Sequence, residues 1–84
     1  MNAYAVFLHA GLLEAMPTRG RQREIILKFV RELAGNLFQR GDYTERDETA
    51  RTMEVKIVAG HALTWWPDHA VKEIKVVRVQ RADG

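Results

Sequence analysis

The stretch from Thr52 to Trp66 constrains the fold most. Met53, Val55 and Ile57 alternate with Thr52, Glu54 and Lys56, the period of a half-buried antiparallel strand. Ala59-Gly60 supplies a tight turn, and His61 to Trp66 reads as a second strand with Leu63 and Trp65 on one face and Thr64 and Trp66 on the other. Neighbouring strand residues point to opposite faces, so at most one of the two tryptophans joins the core. Pro67-Asp68-His69-Ala70 has turn chemistry, and Val71 to Gln80 reads as a third strand. Its alternation slips, with Ile74 and Val76 on one face and Val77 and Val79 on the other. Cover on both sides, or a bulge near Val76-Val77, accounts for the slip. The C-terminal half therefore reads as a three-stranded antiparallel meander.

Upstream, Tyr4 to Leu8 is a short apolar run that predicts a strand, central or partly covered. Leu12, Leu13 and Met16 fall at helical spacing before Pro17, which stops the turn. From Thr18 to Ala34, Ile25, Ile26, Phe29, Val30 and Leu33 recur on one helix face. Thr18 is placed to cap this helix, and Gly35-Asn36 ends it. The helix must bury its apolar face against the sheet. Ile25, Phe29, Val30, Leu33, Val55, Ile57 and Leu63 are the expected core. Gly41 to Arg51 is charged and aperiodic, and reads as a loop. The fold class is α+β: an N-terminal strand, a helical hairpin or single long helix, then the meander, as one domain over residues 1–84.

With 84 residues, the chain has room for one domain. Its 46% hydrophobic and 29% charged content is globular rather than disordered. No cysteine is present, which excludes a disulfide framework and thiolate chemistry. Met1-Asn2-Ala3-Tyr4 carries no basic leader pattern, and no apolar run is long enough to span a bilayer. A soluble, cytoplasmic protein without membrane contact is expected. The formal charge of +2 permits an acidic partner without demanding one. Its distribution is more telling: Arg19 to Arg31 is basic, Asp42 to Glu48 acidic, and Lys72 to Arg81 basic again.

Candidate chemistry is sparse. His9, His61 and His69 lack the spacing of a metal site, so neither metal nor cofactor is expected. The Asp42–Glu48 carboxylates read as a solvated run, and no phosphate loop or nucleophile triad occurs. An exposed tryptophan beside cations suits contact with nucleic acid or protein. Lys75 and Arg78 fall on opposite faces by parity, so they share a patch only if a bulge intervenes.

Strand, helical segment, charged loop and meander, in this order, resemble the RelE/ParE toxin superfamily of bacterial toxin-antitoxin modules. The match runs through Tyr4-Ala-Val-Phe-Leu-His, the helix ending at Leu33, Met53-Glu-Val-Lys-Ile, His61-Ala-Leu-Thr-Trp-Trp and Ile74-Lys-Val-Val-Arg-Val. The resemblance implies a toxin-type protein acting on RNA and translation or on gyrase, silenced by an acidic or partly disordered cognate antitoxin. It departs from the nuclease branch in two places. Ala62 stands where an Arg is usual, and Val79-Gln80-Arg81-Ala82 lacks the C-terminal Tyr or His. A weak mRNA endoribonuclease or a non-catalytic protein-binding module is therefore expected, with no catalytic residue assigned. The expected contact residues are Arg51, Lys56, His61, Trp66, Lys75, Arg78 and Arg81, with Lys56 and Arg78 at the centre of one basic sheet face.

Overall fold

A computed structural model describes residues 4–82; Met1 to Ala3 and the last two tail residues, Asp83-Gly84, lie outside the described residues. The elements run β1 (Ala5–Leu8), α1 (Ala10–Ala15), α2 (Arg21–Leu33), β2 (Tyr43–Arg46), β3 (Thr52–Val58), β4 (His61–Asp68) and β5 (Glu73–Arg81). They build a five-stranded sheet in the order β1-β5-β4-β3-β2. The neighbouring pairs β2–β3, β3–β4 and β4–β5 are antiparallel, and β1 pairs in parallel with β5.

This corrects the expected three-stranded meander with a long helix. The charged segment after the helix is not all loop: Tyr43-Thr-Glu-Arg pairs with Thr52 to Val55 as an edge strand. It hides in the sequence because an edge strand needs no apolar face when its carboxylates bind neighbouring cations. Strand β1 is the opposite edge rather than central. The helical segment is two short helices. His9 caps α1, its Nδ1 accepting from the Gly11 N–H at 3.1 Å. Helix α2 starts only at Arg21, after Gly20 at φ 94°, so Thr18 does not cap it.

The hairpin between β3 and β4 forms as expected. Ala59 and Gly60 both adopt positive φ, 50° and 78°, the sign that a two-residue turn needs to match strand twist. The slip in β5 resolves as a bulge. Thr64 opposes Arg78 and Trp65 opposes Val76, which leaves Val77 unpaired.

Helix α2 buries Ile26, Val30 and Leu33 against Val58, Leu63, Trp65, Ile74, Val76 and Val79. Trp65 is the core tryptophan, meeting Phe29 edge-on at 5.4 Å between centroids. Two expected core residues are not core: Ile25 and Ile57 are each 42% exposed. Ile25 lies on the outer side of α2. Ile57 lies on the sheet face that no helix covers, opposite Ala62. Val55 is buried, yet it lies on that same uncovered face, under side chains of the sheet itself.

Candidate functional site

Register divides the expected contact residues between two faces. Lys56 opposes Leu63, and His61 opposes Arg81, which puts all three polar residues on the helix-bearing side. Arg78 opposes Thr64, and Lys75 opposes Trp66, on the open side. Lys56 and Arg78 therefore do not form one basic face. They lie on opposite faces of the sheet with β4 between their strands, and each is already paired: Lys56 with Asp42 at 3.5 Å, Arg78 with Glu45.

The bulge at Val77 creates the site that does exist. By skipping one residue it returns Lys75 and Arg78 to the same face, around Trp66. Trp66 is half-buried there. The Arg51 guanidinium lies 3.8 Å from its ring centroid and the Lys75 ammonium 5.5 Å away, both within cation–π range. Arg78 reaches across β4 and β3 to Glu45, and its Nη2 also donates to Thr64 Oγ1 at 3.4 Å. Thr64 is fully buried beneath it, with Met53 and Val55 alongside. These long side chains roof the sheet with their own carbon stems.

Each cation of this face has its own carboxylate. Lys75 pairs with Asp68 at 2.8 Å, and Arg51 with Asp47 at 3.1 Å. Asp47 also accepts from Thr49 Oγ1 at 2.7 Å and from the N–H groups of Thr49 and Arg51 at 2.9 Å, which fixes the turn into β3. The Thr49 hydroxyl, the backbone donors and Arg51 hold the Asp47 carboxyl below the usual carboxylate range. The Lys75 ammonium, followed by the Ala70 and Val71 amides, does the same for Asp68. On β2's other side, the Ile57 N–H and then Lys56 lower Asp42.

Glu45, Asp47, Asp68 and Thr64 belong to this site and were not expected there. The one signal was Asp47-Glu-Thr49, whose spacing permits a side-chain turn. Arg51, Lys75 and Arg78 face Glu45, Asp47, Asp68 and Glu73, so cations do not exceed carboxylates. The basic surplus lies on the helical side, where exposed Arg19, Arg21, Lys28 and Arg31 outnumber Glu24 and Glu32.

The other two histidines of the described strands and turns are structural in their contacts. His61 Nδ1 lies 3.0 Å from the Ala59 carbonyl, and His69 Nδ1 2.7 Å from the Tyr4 hydroxyl. Among the described residues, no group of His, Asp or Glu is arranged to hold a metal ion, and no helix is long and apolar enough to cross a membrane. Comparison of the chain with protein-family models, with curated proteins and with solved structures found no match.

Proposed function

We propose that this protein is a non-catalytic protein-binding module on a RelE/ParE-like scaffold, with an acidic partner chain in a cytoplasmic two-gene module. The observation that carries the reading is the charge balance of the open sheet face. Every cation there is matched by a carboxylate, so a polyanion meets no uncompensated positive field. A base cannot stack on Trp66 without first displacing Arg51 from the ring. Cleavage through a ribose hydroxyl also needs a positioned acid and base, and neither the Arg nor the C-terminal Tyr or His implied by the resemblance is present at Ala62 and Val79–Ala82. An acidic partner finds its complement on α2 instead, along Arg21, Lys28 and Arg31.

A second reading, the toxin acting on RNA or gyrase, is favoured by the bulge that gathers Lys75 and Arg78 beside Trp66 and Arg51. A translating extract separates the two. The module leaves mRNA intact and gyrase supercoiling unchanged, and induced expression does not arrest growth. mRNA cleavage abolished by Arg78→Ala overturns the module and establishes the toxin. For the module itself, charge reversal by Arg21→Glu with Lys28→Glu abolishes binding of the product of the neighbouring reading frame, whereas Arg78→Ala leaves it intact.

A further inference from the structure

The two edges of the sheet are built differently. Strand β2 carries Glu45 and Arg46, the charged kind of edge that resists pairing with another chain. Strand β1, at the other edge, reads Ala-Val-Phe-Leu and holds no charge, no proline and no bulge. Phe7 is 49% exposed on the open face, opposite Lys75 of β5. Val6 and Leu8 are half-buried and pack against the core from the helix-bearing side.

Backbone direction shows what this edge leaves unmade. The Ala5 N–H donates to Lys72 O at 3.1 Å. Backbone groups turn to alternate sides along a strand. Ala5 and Phe7 therefore bond to β5, while the N–H and C=O groups of Val6 and Leu8 point away from the sheet. Among the described residues, no backbone group bonds to them. Helix α1, which follows β1 directly, packs on β5.

We infer that a second copy of this chain pairs with β1, antiparallel and two-fold symmetric, so that two sheets join edge to edge. The register follows from the free groups. With Phe7 opposite Phe7 on the two-fold axis, Val6 of each copy faces Leu8 of the other, and each such pair exchanges both backbone hydrogen bonds. Phe7 then falls at a non-hydrogen-bonded position, where opposed side chains approach closest, and the two exposed rings cover each other. Val6 and Leu8 extend the buried row of one copy into that of the other. Charge favours a second copy over an acidic strand. The run Tyr4 to Leu8 brings no like charge against itself. Lys75, opposite Phe7, is held by Asp68 at 2.8 Å, and Lys72 adjoins Glu73, so this edge offers an acidic strand no uncompensated field. A four-residue edge makes a small interface, so the dimer is weak, in the micromolar to millimolar range.

The test is sedimentation equilibrium of the whole chain from about 1 µM to about 1 mM, with amide hydrogen exchange at both ends of that range. The expected result is a monomer–dimer equilibrium in which the Val6 and Leu8 amides gain protection with concentration. The Phe7 amide, bonded within the sheet, is protected throughout. Phe7→Lys sets two ammonium groups against each other and weakens dimerisation by about tenfold or more. Ile57→Lys, at a similarly exposed site on the same face but on β3, leaves dimerisation unchanged. Circular dichroism establishes that both variants fold; should Phe7→Lys unfold, the exchange result on the unaltered chain decides alone. A chain that stays monomeric up to about 1 mM overturns the inference. So does a dimer whose Val6 and Leu8 amides exchange as fast as the monomer's, or one that Ile57→Lys abolishes. Protection of those amides only when the product of the neighbouring reading frame is added also overturns it, and assigns the edge to that partner. Arg21→Glu with Lys28→Glu leaves the dimer intact, so the outcome is independent of binding through α2.

Discussion

Gly41→Ala tests how strand β2 is attached. A Cβ built on Gly41 would lie 2.3 Å from the Val55 carbonyl oxygen, 2.6 Å from its carbon and 2.7 Å from its nitrogen. All three are backbone atoms of a central part of β3, so no side chain can swing aside. Reaching an ordinary contact requires the chain at Gly41 to retreat by about 1 Å. Two short hydrogen bonds do not survive that retreat intact. The Gly41 N–H donates to Glu54 Oε1 at 2.7 Å, and the Asp42 N–H donates to Val55 O at 2.7 Å. A bond to a charged acceptor is worth about 1.5–3 kcal/mol and a neutral one about 1 kcal/mol. Their joint weakening gives an expected loss of about 3 kcal/mol, out of the roughly 4–13 kcal/mol available to a domain of this size. The corresponding fall in Tm is roughly 12–24 °C. Thermal and urea unfolding followed by circular dichroism read this directly, and faster hydrogen exchange at the Ile57 amide, which donates to Asp42 Oδ2 at 2.8 Å, reports whether β2 detaches. Gly35→Ala is the control: its new Cβ meets only Glu32 O, at 3.9 Å, and stability stays within about 0.5 kcal/mol. If Gly41→Ala also stays within that window, the close approach is not what fixes β2 and the reasoning fails.

Three further outcomes follow from the same geometry. Ala50 is exposed at φ 62°; relief of the left-handed penalty exceeds the entropy glycine adds to the unfolded chain, so Ala50→Gly raises stability by about 0.5 kcal/mol in urea melts. Trp65→Ala costs about 3–5 kcal/mol because it empties the core, while Trp66→Ala costs less than half as much; equal losses in the two melts would contradict the assigned faces. Asp42, Asp47 and Asp68 have folded pKa values below their unfolded ones. Their contribution is therefore full above about pH 4 and disappears as pH falls through the folded values, so Tm drops in acid, and Asp47→Asn with Asp68→Asn flattens that drop; an unchanged acid profile in the double variant would refute it.

Local pattern alone determined the β3–β4 hairpin. The alternation from Met53 to Trp65 and the Ala59-Gly60 turn are short-range properties, and a one-residue slip would expose the whole buried set. The periodic residues Ile26, Val30 and Leu33 likewise fixed which side of α2 meets the sheet. The slip of Ile74 and Val76 against Val77 and Val79 narrowed β5 to cover on both sides or a bulge near Val76-Val77, and the register shows the bulge. Tertiary structure decided the rest. The parallel pairing of β1 with β5 joins the two ends of the chain, and no local periodicity encodes a partner that far away. Strand β2 carries too little apolar surface to announce itself; it exists because Glu45 and Asp42 find Arg78 and Lys56 on other strands. The Arg78–Glu45 pair, together with Lys75–Asp68 and Arg51–Asp47, decided the charge of the open face. The sequence displays its cations and carboxylates in separate runs, and only strand register shows that they neutralise one another, since Coulomb attraction depends on distance in space and not along the chain.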